Sequence, residues 1–157
     1  MSANKGNAGE HLVMAELLAQ GFDAYWADRG NTAFDTACFW NESGRATRLR
    51  VKTTSNSAPC WTAKKSGLFL EVQAHNDFVV ICDIKEGVRG ASVYIVPTRV
   101  VEEHLVRNHA EYCTLPGRNE KASIRVLRFW GEHRADNPSY GYQDKFAEYR
   151  EAWNLLK

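Results

Sequence analysis

The hydrophobic positions of the chain change period several times, and each change marks an element. From Gly9-Glu10 onward, Leu12, Val13, Ala15, Leu17 and Leu18 give the apolar face of a helix that ends at Gln20-Gly21, where glycine supplies the stop. Two β-favouring runs follow, Phe22 to Ala27 and Phe34 to Trp40. Asp28-Arg29-Gly30-Asn31-Thr32 supplies turn chemistry between them, so they are expected to be neighbouring antiparallel strands. Arg48 to Thr54 alternates strictly, with Leu49, Val51 and Thr53 on one side and Arg48, Arg50 and Lys52 on the other. Ser55 to Gly67 reads as a long loop with room for a short helix. Phe78 to Ile84 is almost continuously apolar, as in a strand covered on both faces, and Ala91 to Val96 is its expected partner, ended by Pro97. Thr98 suits the N-cap of a helix running to about Ala110, and Ile124 to Trp130 reads as a last strand. From Tyr142 onward, Phe146, Tyr149, Trp153 and Leu156 recur at helical spacing and predict an amphipathic closing helix. This order gives an α/β domain with a mixed central sheet.

Composition narrows the picture only in places. With 157 residues, 44% hydrophobic and 25% charged, the chain fits one domain with a real core. No apolar run approaches the roughly 20 residues needed to span a bilayer. The first residues lack a secretory leader's apolar stretch, so a cytoplasmic protein without a membrane partner is expected. Cys38, Cys60, Cys82 and Cys113 form no CxxC pair, and His104 and His109 fall about 140° apart on a helix, which argues against a paired zinc site. No GxSxG elbow, GxxxxGK[ST] loop or GxGxxG turn occurs. The net charge of +1 hides an uneven distribution. Between Glu42 and Glu71 there is no acidic residue, while Arg45, Arg48, Arg50, Lys52, Lys64 and Lys65 all fall there. Such a stretch suits a polyanion such as nucleic acid, and the alternative is an ordinary solvated face.

Taken together, Gly9-Glu10 on the first helix, Phe34-Asp35 on a following strand and Arg48-Leu49-Arg50-Val51-Lys52-Thr53-Thr54 on the next resemble the core of the PD-(D/E)xK nuclease superfamily. Asp77 to Asp83 and Tyr94-Ile95-Val96-Pro97 look like the rest of its sheet. The resemblance covers about residues 6–100, and residues 98–157 read as a helical elaboration of the same single domain. It implies a restriction-endonuclease-like α/β core, a central mixed sheet flanked by helices, and a metal-dependent DNA endonuclease or structure-specific DNA-processing enzyme. The resemblance also allows a homodimer, since cutting two strands often uses two copies.

By the same resemblance, Asp35, Glu10 and the Val51 carbonyl would hold Mg²⁺ or Mn²⁺, and Lys52 would orient water or stabilise transition-state charge. Arg48, Arg50, Lys64 and Lys65 would meet DNA, while Thr53 and Thr54 read either as strand-end residues or as hydrogen-bond donors to phosphate. Arg50 departs from the family pattern, because that position normally offers an oxygen and a guanidinium offers only N–H donors. Three readings follow. The site is degenerate and the fold serves nucleic-acid binding or protein interaction; or Glu10 and Asp35 hold one metal with Arg50 turned onto phosphate; or Glu16 or Glu71 substitutes.

Overall fold

The computed structural model describes residues 3–28, 31, 33–55, 58–70, 75–117, 124–129, 131–132, 134 and 136–157. Its elements are α1 (Ala3–Ala19), β1 (Asp23–Trp26), β2 (Thr36–Trp40), β3 (Arg45–Thr54), β4 (Cys60–Thr62), β5 (Asp77–Asp83), β6 (Ser92–Pro97), α2 (Thr98–Thr114), β7 (Ile124–Val126) and α3 (Tyr142–Lys145). A five-stranded sheet runs in the order β1-β2-β3-β5-β6. β3 and β5 are parallel, with Val51 opposite Val80, and the other pairings are antiparallel. The architecture is α/β, a mixed sheet flanked by helices.

Alternation along the central strands sorts the core into two layers. Leu49, Val51, Val80 and Cys82 face α1 through Val13 and Leu17, together with Trp153 and Leu156 from the end of the chain. Val79 and Ile81 face the other way, toward Val101 and Leu105 of α2 and toward Trp61, Leu127 and Phe146. β5 is therefore buried on both sides, as its apolar run requires.

Helix α1 begins two turns earlier than Gly9, and its seat on the sheet depends on that glycine. A Cβ at Gly9 would collide with Thr53 Oγ1, whose hydroxyl donates to the Gly6 carbonyl at 3.1 Å. The helix thus lies backbone-close to β3.

Four expectations need correcting. The loop expected after Thr54 contains β4, and the last strand is only the three residues of β7. These two pair with each other in a separate two-stranded sheet, Trp61 opposite Arg125. Trp130 lies outside the described residues. The closing helix is broken into α3 and two 3₁₀ turns, Ala147–Tyr149 and Trp153–Leu156. Glu151 sits between them with φ of 51°, its N–H donating to the Val93 carbonyl and its carboxylate accepting from the Val93 N–H. Thr98 is the first helical residue rather than the cap, which falls on Pro97 without a side-chain hydrogen bond.

Candidate active site

Asp35 stands immediately before β2, outside the strand it was expected to occupy, but its backbone continues the sheet. Its N–H donates to the Leu49 carbonyl at 2.8 Å, and its carbonyl accepts from Ala27 at 2.9 Å. The carboxylate then turns along the sheet edge, where Oδ2 accepts the Val51 N–H at 2.7 Å. In an extended strand the N–H and C=O of one residue point to the same side, so the Val51 carbonyl leaves β3 toward the same edge.

Glu10 reaches this place from α1. It is not at a helix N-terminus, because the helix runs through Ala3–Ala19, so the helix dipole does not account for it. Its carboxyl is pushed above the usual range, first by partial burial and next by the negative charge of Asp35, with His11 opposing. Glu10 and Asp35 line one cleft of about 580 Å³ with Asn7, His11, Trp26, Asp28 and Phe34. Among the described residues no group of three or more His, Cys, Asp or Glu side chains is placed to hold a metal ion, so a hard cation here would rest on these two carboxylates with backbone or water oxygens completing its shell.

The basic side of β3 lies elsewhere. Arg50 Nη2 donates to the Ala33 carbonyl at 2.7 Å, so this guanidinium ties down the turn leading into Asp35. Arg48 holds Asp77 through two bonds of 2.7 and 2.9 Å. Lys52 stands 6.0 Å from the Trp61 ring. By strand alternation, both Arg50 and Lys52 leave β3 on the face opposite Val51. Neither is among the described residues lining the cleft.

Thr53 and Thr54 are buried, and the Thr53 hydroxyl is engaged beneath α1. Thr53 packs the helix onto the sheet, and Thr54, the next residue of the strand, projects to the opposite face. Lys64 and Lys65 are exposed on the turn after β4, where the Lys64 N–H donates to the Leu68 carbonyl. Glu16 is not among the described cleft residues, and Glu71 lies outside the described residues. The structure therefore brings together Glu10, Asp35 and the Val51 backbone, and the basic side chains of β3 are not among the described residues of their cleft, Arg50 reaching the turn just before Asp35. Sequence reasoning missed His11 and Trp26. Their signal was present only in the proximity of residue 11 to Glu10 and in an exposed aromatic ending a strand.

No protein-family model matches the sequence, and no curated protein matches it. In structure, the chain is similar to a bacterial homing endonuclease, I-Ssp6803I. The match covers 99% of this chain and 92% of that one, with a TM-score of 0.53 and 17% sequence identity. At that identity the likeness is one of fold.

Proposed function

We propose that the protein is a metal-dependent endonuclease of the PD-(D/E)xK superfamily that hydrolyses phosphodiester bonds in DNA. The observation that carries this reading is the Glu10–Asp35 pair, two mutually repelling carboxylates on one cleft at the edge of a nuclease-like sheet. The donor set fits Mg²⁺ or Mn²⁺, because carboxylate and carbonyl oxygens are what such ions take. Glu10, Asp35 and the Val51 carbonyl would hold the ion. When bound, it supplies Lewis-acid neutralisation of the charge that develops on the phosphate and lowers the pKa of water.

The chain's own residues do the rest. The Val51 N–H fixes one oxygen of Asp35, which lines the cleft. Arg50 anchors the turn before Asp35 through Ala33. Lys52 flanks Val51 on β3, as Arg50 does on its other side, and would stabilise negative charge on a phosphate lying across the end of the strand.

Calorimetric titration of Mn²⁺ and Mg²⁺ into wild type and Asp35→Asn, followed by plasmid cleavage in the same buffer, tests the assignment. Loss of both metal heat and cleavage in the variant is expected. Equal cleavage by wild type and Asp35→Asn would reject it. Arg50, at a position where the superfamily offers an oxygen, favours a second reading, a binding module that keeps the fold without the metal. DNA binding by wild type that ignores chelator, without cleavage, would establish that reading instead.

A further inference from the structure

The cleft beside Glu10 and Asp35 is larger than a metal site requires. Its volume of about 580 Å³ lies within the range of small-molecule sites, about 300–1,000 Å³. One wall is Trp26, at the end of edge strand β1, which is 46% exposed although it is among the largest apolar side chains of the protein. Its ring meets that of His11 nearly edge-on, with centroids 5.2 Å apart at 74°, so the indole is braced rather than loose. Phe34 and the amide of Asn7 line the same space.

The charge of the cleft decides what it can take. Glu10, Asp28 and Asp35 all line it, and among its described lining residues only His11 can carry positive charge. These described lining residues together repel phosphate except where a cation sits between the carboxylates. A neutral, flat group bearing hydrogen-bonding edges suits the remaining space, and a nucleobase lifted out of its stack is such a group.

We infer that this cleft receives one unpaired nucleobase against Trp26, so that the protein favours DNA with an unstacked nucleotide over continuous duplex. The inference rests on the reading of Glu10 and Asp35 as the cutting site, and it specifies that site's substrate. Binding in chelator tests it apart from cleavage, so its failure is distinguishable from failure of the metal assignment.

The experiment compares wild type, Trp26→Ala and Trp26→Phe by anisotropy on labelled duplex with and without a single unpaired nucleotide, and on the same DNA with an abasic site there. Wild type should prefer the unpaired nucleotide. Trp26→Ala should lose at least about tenfold of that preference and Trp26→Phe should keep most of it, since aromatic stacking is tolerant of ring type. The abasic DNA should reproduce the loss with wild-type protein, which keeps the test decisive if Trp26→Ala melts early. No preference in wild type, an unchanged preference in Trp26→Ala with normal melting, or equal binding of abasic and intact DNA would each overturn it.

Discussion

Arg50 sets two effects against each other at a single residue. Its charge near a carboxylate pair would oppose a cation, while its bond to the Ala33 carbonyl steadies the turn that presents Asp35. The guanidinium is spent on that carbonyl and is not among the described residues of the cleft, and among the described residues the charges that shift Glu10 are those of Asp35 and His11, so the tie should outweigh the repulsion. Arg50→Ala is therefore expected to weaken Mn²⁺ binding by roughly fivefold, about 1 kcal/mol for one hydrogen bond to a charged donor at an exposed site. Arg50→Lys should recover part of it. A gain of affinity in Arg50→Ala, read in the same titration, would show that repulsion dominates. From the sequence alone Arg50 was legible as a departure and no more. Alternation fixed its face of the strand, but the carbonyl it reaches lies in a turn whose path no local pattern specifies.

Helix α1 shows why part of the fold could be read and part could not. Its apolar periodicity was plain, yet what sets its height above the sheet is Gly9 against Thr53, a contact between elements that sequence spacing does not encode. Gly9→Ala is expected to cost about 1–3 kcal/mol, as overpacking does, because Thr53 is itself hydrogen-bonded to the helix and cannot turn away. Urea denaturation measures this, and a neutral result would mean the helix shifts freely. β4 escaped notice and β7 was expected as a longer strand for a similar reason, since three-residue strands carry almost no alternation and find each other only across the chain. The terminal spacing did identify buried residues, Phe146, Trp153 and Leu156. It failed to give one helix because Glu151 is bound to β6. The β7 packing also carries a pH dependence. Arg125 Nε donates to His109 Nδ1, which must be unprotonated to accept, and the His109 pKa is lowered, first by burial and then by the Arg125 charge. His104 is lowered too, by burial and then by Arg107 and Lys145. A folded pKa below the unfolded value, about 6.5, means stability is fully present above that pH and is lost as pH falls toward the depressed folded values. Melting temperature should therefore drop on acidification from neutral pH. His109→Gln, which offers an acceptor that does not titrate, should drop less.

At the scale of the whole molecule, the basic stretch is less available than its six charges suggest. Arg45 donates to the Leu155 and Lys157 carbonyls at 2.9 and 3.1 Å and so fastens the end of the chain to β3. Arg48 is held by Asp77, and Arg50 by the Ala33 carbonyl. Three arginines of an apparent polyanion surface are thus occupied in holding the fold, while Lys52 stands beside Trp61 and Lys64 and Lys65 are exposed to solvent. The count matters because each phosphate neutralised contributes about −0.9 to the slope of log K against log salt on duplex DNA. Six contacts would give a slope of roughly −5 from this stretch, and three would give a slope of about −3. Replacing Lys64 and Lys65 with Ala should then flatten the measured slope by about 2, weakening all DNA sequences alike. The same measurement on Arg48→Ala should change the slope little but lower the melting temperature, since its partner Asp77 would be left half-buried without its counter-ion. A slope that falls by a full contact in Arg48→Ala, with stability unchanged, would return that arginine to the DNA surface and make the ion pair with Asp77 incidental.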